Sequence, residues 1–300
     1  MKGDVLVLLL TALLFGQNEA AGENKSITTG DFEIEVLGQS GKINLKQVST
    51  GKRILQVSPD SLEEYENAAD TTVVSQHIFN EFSKQVFTFS PPSNGMVYNA
   101  SAKILKFTTT FLQNTKVSFD MYVFMENKTI TVDSGEEYEV KEGSAKFNVN
   151  INNWLFCGTG QQTCNGTNGN YLDFSIEVKG MKADDKAMKA NIQTGKKGNS
   201  IGKNPITYQM GDGFITLSPL YKFGGWMNMP DGYPKFVQRN SKTYFVVRFR
   251  KFLTSVSYDP IIQLAYSEKI PVSSALSITG SAYAIFFGVA IMFVCNIKML

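Results

Sequence analysis

The chain has 300 residues and a mass of 33.3 kDa, with 43% apolar and 19% charged residues and a mean hydropathy of −0.12. Those values exclude a disordered chain and a multi-span membrane protein. Lys plus Arg number 29 and Asp plus Glu 27, a net charge of +2, without the excess of positive charge that nucleic-acid phosphates demand; three cysteines and one histidine leave little for a disulfide scaffold, an iron–sulfur cluster or most metal and triad chemistry.

In chain order, Lys2 precedes an apolar run over residues 5–15, and small residues follow near 20–22. The run is short for a bilayer span and suits a removed secretory signal, so residues 1–22 read as a signal peptide. Phe32, Ile34 and Val36 then alternate with Asp31, Glu33 and Glu35, the period of a half-buried strand. Ser61-Leu-Glu-Glu64 follows Pro59-Asp60 with capping-box spacing and predicts one or two helical turns. Further inward rows are Leu105, Phe107, Thr109, Phe111; Val117, Phe119, Met121, Val123; and Phe147, Val149, Ile151. Leu172, Phe174, Ile176 and Val178 form the cleanest row, against a polar face of Asp173, Ser175, Glu177 and Lys179. Cys157 and Cys164 lie between the last two rows. They read as a disulfide stapling the loop of a hairpin made by the Phe147 and Leu172 strands.

Residues 181–192 read as a short Ala/Lys-rich helix, inside a Lys/Gly-rich exposed loop at 181–205. Strand signals resume at 206–268, where Phe245, Val247 and Phe249 alternate with Arg248 and Arg250. The fold class is therefore all-β: an antiparallel β-sandwich ectodomain over residues 23–272, as one body or as two lobes, 23–180 and 206–268. No charged residue occurs from Ile270 to Ile297. Residues 275–297 read as a transmembrane helix or as a GPI signal, with small residues Ser273, Ser274 and Ala275 as its cleavage site and 298–300 as a cytoplasmic tail if the helix is kept. Cys295 sits at the inner edge of that segment.

The address is extracellular, at the membrane face or in the matrix, and the sequons at Asn24, Asn99, Asn127 and Asn165 are expected to carry N-glycans. Chemistry is sparse. Gly198-Asn-Ser200-Ile-Gly202 matches a nucleophile elbow in letters, but it lies in a loop, and His77 precedes it rather than follows. Gly38-Gln-Ser-Gly-Lys42 lacks the spacing of a phosphate loop. No cofactor, catalytic residue or firm metal site is assigned. Asp60, Glu63, Glu64 and Glu66 form one acidic cluster; Asp133, Glu136, Glu137 and Glu139, with Glu142, form another without EF-hand spacing. The second is the candidate for weak calcium contact. The lysines of 179–203 are candidates for acidic polysaccharide or anionic lipid. Tyr221, Trp226 and Tyr233, in a segment broken by Gly and Pro, are candidate ligand contacts, through stacking on sugars or anchoring a protein.

Two stretches carry a resemblance. Phe147-Asn-Val-Asn-Ile-Asn-Asn-Trp154-Leu-Phe-Cys157 is followed by Leu172-Asp-Phe-Ser-Ile-Glu-Val, and Tyr244-Phe-Val-Val-Arg-Phe-Arg-Lys-Phe by Val256-Ser-Tyr258-Asp259-Pro260. Over roughly residues 80 to 265 the chain resembles uncharacterised secreted proteins of the coral skeletal organic matrix. The resemblance implies a setting, extracellular biomineral matrix, with mineral or polysaccharide surfaces as partners, and no catalytic residue. The expectation is a non-enzymatic, glycosylated, membrane-tethered protein of adhesion or matrix organisation. The alternative is a membrane-tethered hydrolase of glycosidase type, which needs only two suitably spaced carboxylates.

Overall fold

A computed structural model describes residues 22–68, 73–112, 114–158, 168–180, 188–189, 195–196, 205–211 and 213–263. These residues fall in one compact unit, and it is nearly all strand. The first strands are β1 (Lys25–Thr29), β2 (Phe32–Val36), β3 (Ile43–Gln47), β4 (Arg53–Tyr65) and β5 (Val73–Phe79). A 3-10 turn at Phe82–Lys84 leads to β6 (Thr88–Phe89), β7 (Ser93–Val97), β8 (Ala100–Phe111), β9 (Thr115–Phe124), β10 (Lys128–Thr131), β11 (Glu137–Val140) and β12 (Ala145–Asn152). Then come β13 (Tyr171–Lys179), β14 (Met188–Lys189), β15 (Gly195–Lys196), β16 (Ile206–Met210), β17 (Gly213–Leu217) and β18 (Leu220–Lys222). The last are β19 (Trp226–Asn228), β20 (Lys235–Arg239), β21 (Lys242–Arg250), β22 (Ser255–Tyr258) and β23 (Ile261–Gln263).

Every pairing is antiparallel. An eight-stranded sheet runs β1-β2-β3-β4-β13-β21-β20, with β5 also on β4. A twelve-stranded sheet runs β14-β16-β17-β23-β12-β22-β18-β19, and β12 continues on its other edge through β9 to β8 and β7. A small third sheet is β10-β11-β15. Strands from before and after residues 181–205 thus pair within the same two large sheets. Two hairpins use two-residue turns with both φ positive, at Tyr98–Asn99 and Asn240–Ser241. That turn matches the twist of the strands it joins.

The alternation read from the sequence puts one apolar row of each strand inward. Phe107 stacks on Phe119 within the larger sheet at 4.8 Å, and Phe119 meets Phe174 of the facing sheet at 6.4 Å. Tyr221, Phe249 and Tyr258 join the two sheets farther along. One core cluster accordingly draws residues from both sheets. A second, smaller cluster of Ala100, Ala102, Phe124, Ile130, Val132, Tyr138, Val140 and Ile261 lies where β10 and β11 cover the outer side of the larger sheet.

Four expectations are corrected. Residues 61–64 are not helical but the end of β4, because each side of that strand has a partner, β13 on one edge and β5 on the other. Ladder bonds over that length outweigh a local cap signal. Met188–Lys189, in the expected helix at 181–192, are a strand paired with β16; the rest of that segment lies outside the described residues. The Phe147 and Leu172 strands are not a hairpin: β12 pairs with β9, β22 and β23, whereas β13 pairs with β4 and β21 in the other sheet. The polar side of β13 is not a solvent face, since Asp173, Ser175 and Glu177 are all buried.

Candidate functional site

Three connections converge at one end of the two sheets: residues 153–158 after β12, the 223–225 turn between β18 and β19, and 251–254 between β21 and β22. Phe252 is their common contact, edge-on to Phe156 at 5.2 Å and tilted against Phe223 at 6.5 Å. Lys251 Nζ lies 5.7 Å from the Phe156 ring, and Asn153 N–H donates to the Thr254 carbonyl. Above this layer the end is apolar and open. Leu253 is 82% exposed, Leu155 is 39% exposed, and Phe223 and Trp226 are partly exposed. Lys222, paired across the hairpin with Trp226, holds its ammonium 5.8 Å from the indole.

The platform under this rim is fixed by a carboxylate. Glu64, at the end of β4, has no solvent exposure. It accepts from Trp154 Nε1 at 2.8 Å and from the Cys157 N–H at 3.0 Å. Any side chain at Gly169 would collide with that carboxylate, so the chain returning from the cysteine loop passes directly over it. A buried carboxylate with good donors is a strong and geometrically demanding anchor. The result is a preorganised aromatic and aliphatic surface flanked by ammonium groups, a chemistry that can desolvate and stack on a ligand.

The other candidate residues fall elsewhere. Tyr221 is in the core with no exposure, and its hydroxyl accepts from the Arg250 N–H. Tyr233 is buried over the outer side of the eight-stranded sheet. There Arg248 donates Nε to Asp173 Oδ1 at 2.5 Å and Nη2 to Oδ2 at 2.7 Å. The guanidinium lies between the Tyr65 and Tyr233 rings, 4.2 and 4.5 Å from their centroids, and its Nη1 donates to the Ala68 carbonyl. Burial pushes the Tyr233 and Tyr65 hydroxyls up, with Asp173 and Glu63 adding to the rise. Of the three aromatic candidates, only Trp226 reaches the surface.

The acidic stretch is split by its own strand. Glu136 is buried and accepts from Ser134, Tyr138 and Ser218 hydroxyls. Asp133 and Glu139 are exposed, and Glu137 is half-buried opposite Lys196. In the first cluster Glu64 is the loop anchor just described, and Glu63 accepts from Ser61 and Tyr65. Among the described residues no group of three or more His, Cys, Asp or Glu is placed to hold a metal ion.

Asn24, Asn99 and Asn127 are exposed, Asn99 at the tip of the β7–β8 hairpin. Cys164, Asn165, the glycine–serine motif at 198–202, the signal segment and the tail with Cys295 lie outside the described residues. His77 lies on β5. No helix among the described residues is long and apolar enough to cross a membrane.

Residues 49–297 match the family model described as acidic skeletal organic matrix protein. The chain belongs to that family. The skeletal organic matrix protein family implies an extracellular matrix setting. This member departs from the family's adjective, with two more basic than acidic residues. The places of three residues are not legible in the sequence. Glu64 was masked by its cap-like spacing, Arg248 by its place in an apolar run, and Leu253 because a lone leucine in a loop carries no periodicity.

Proposed function

We propose that this protein is a non-enzymatic component of a skeletal organic matrix that works by contact. In this reading it is an exported, N-glycosylated two-sheet sandwich ectodomain, delivered by residues 1–22 and tethered through residues 275–297. A Cys157–Cys164 bridge closes the loop beside the aromatic end. The observation that carries the proposal is the family match over most of the chain. The exposed asparagines of three sequons support export and glycosylation. The contact surface is the rim of Leu253, Leu155, Phe223 and Trp226, whose exposure has no folding role. A protein or polysaccharide of the matrix is the partner class for such a rim. Direct mineral contact, in the same reading, falls to Asp133, Glu137 and Glu139, because Glu136 is occupied. Contact is preferred to carboxylate-pair hydrolysis because the buried carboxylates Glu64, Glu136 and Asp173 are each bonded to structural donors, and Glu177 and Asp259 are paired with lysines.

The test is expression of the full chain in a secretory cell. The expected product is cell-surface or matrix material that loses mass on N-glycan removal and is retained by calcium carbonate or matrix polysaccharide. Phospholipase C release separates a GPI anchor from a helix. Recovery from cytosol, unglycosylated and with Met1 intact, would overturn the proposal.

A further inference from the structure

Lys146 is the feature that neither contact nor glycosylation uses. It lies on β12, on the side facing away from the main core, yet its side chain has no solvent exposure because β10 and β11 cover it. Nζ is in direct contact with Asp259 Oδ1 and donates to Asn148 Oδ1 at 2.6 Å. The Tyr98 ring lies 5.3 Å away. Asp259 is 9% exposed and sits between Tyr258 of β22 and Pro260, where the ladder to β12 is interrupted. A buried ion pair is an expensive way to stabilise a fold. Here it joins β12 to the segment between β22 and β23.

We propose that Lys146 and Asp259 are joined by an intramolecular isopeptide bond, formed within the folded protein. The ion pair first passes a proton from Nζ to the carboxylate, giving a neutral amine and a carboxylic acid. The Nζ lone pair attacks Asp259 Cγ; the Nζ–Cγ bond forms, a second Nζ proton moves to the departing oxygen, and the Cγ–O bond breaks. One water leaves and an amide remains, with no oxidant or activating group consumed. The surroundings favour the first transfer. Burial pushes the Lys146 ammonium down to about 7, although Asp133, Glu136 and Asp120 facing it pull the other way. Desolvation disfavours separated charges and so favours the neutral pair. The fixed contact supplies the proximity that makes amide formation between unactivated groups attainable. The covering strands Lys128–Thr131 and Glu137–Val140 keep water from the product amide.

The experiment is mass spectrometry of the full chain after denaturation, reduction and N-glycan removal. The expected mass is lower than that of the processed sequence by one water beyond any reduced disulfide. Digestion should yield a branched peptide joining the segment with Lys146 to the one with Asp259. Lys146→Arg and Asp259→Ala should each restore the full mass and two linear peptides. Far-ultraviolet circular dichroism of both variants checks that strand content persists, so that loss of the bond is separable from loss of the fold. A wild-type chain of unreduced mass, with both peptides linear, would overturn the proposal even if every variant failed to fold.

Discussion

Replacing Arg248 by alanine tests whether the outer side of the eight-stranded sheet is held by one ion pair. Arg248 and Asp173 are each 2% exposed. Truncation removes two charge-assisted bonds to Asp173, the bond to the Ala68 carbonyl, and a guanidinium filling the gap between Tyr65 and Tyr233. Breaking a buried pair from one side costs about 3–5 kcal/mol, mostly through the charge left behind. The lost cation–π contacts add ~1–2 kcal/mol. The stability of a domain is only about 5–15 kcal/mol, so the variant should lose a large share of its urea midpoint with little change in slope. The control is the double variant Arg248→Met with Asp173→Leu, which replaces both charges by apolar groups. It should recover most of the loss, because no buried charge remains. A pH series adds a second readout. Burial already pushes the Asp173 carboxyl up, and Arg248 pulls it down. Without Arg248 only Lys235 and the Tyr233 hydroxyl oppose the upward push, so the folded state binds the proton more tightly than the unfolded chain. The deficit of the single variant should therefore shrink at low pH and grow as pH rises through the raised value. A single variant within ~1 kcal/mol of wild type, or a double variant as unstable as the single, would refute this account of the pair.

Glu64→Ala withdraws the acceptor shared by Trp154 Nε1 and the Cys157 N–H. The expected loss is about 1–3 kcal/mol per orphaned donor, with a red shift of tryptophan emission as the loop loosens. Gly143→Ala should lower the melting temperature, because φ there is +81° and the new methyl would run into the Phe32 ring; the backbone strain alone is ~1–2 kcal/mol. Leu253→Ser should leave stability within ~0.5 kcal/mol, as expected for an exposed side chain, while reducing retention on matrix material in a pull-down. Changing Asn24, Asn99 and Asn127 to Gln one at a time should remove one step of gel mobility each, with an enzymatic deglycosylation lane as reference.

What the sequence showed best was alternation. The rows at Leu105, Val117, Phe147 and Leu172 are inward rows in the structure because a strand has a period of two and no alternative way to hide one face. Pairing was not legible, since register and partner depend on residues far apart in the chain. Thus β12 and β13, neighbours in sequence, lie in different sheets. The polar row of β13 misled for a related reason: alternation reveals two faces but does not say whether the second is covered by another segment. At the candidate site Trp226 was legible as an aromatic in a broken segment, whereas Tyr221 shares its composition and is core. The role of Glu64 is not legible, because nothing local shows that Trp154 and Cys157 arrive over it.

The near-zero net charge of the composition is matched by local pairing of charges in the fold, which bears on how such a protein can meet its surroundings. Carboxylates on the outer sides of the sheets have bases beside them: Glu35 with Lys46 at 2.9 Å, Asp120 with Lys106 at 3.7 Å, Glu177 with Lys179 at 3.0 Å and Lys242 at 3.3 Å, and Glu63 with Arg239 at 3.7 Å. Pairs of this kind, each with a solvent-accessible base, contribute little stability. Their larger effect is on the external field, because alternating charges a few ångströms apart cancel within a Debye length of ~8–10 Å. The sheet faces therefore do not project the dense negative potential that attracts cations to a polyacidic surface. In the proposed reading, recognition by a partner rests on short-range complementarity at the aromatic end, where apolar side chains stand on a loop anchored by the buried Glu64 carboxylate. The carboxylates that do hold the fold together are the buried ones, Glu64, Glu136 and Asp173, each bonded to donors from other segments.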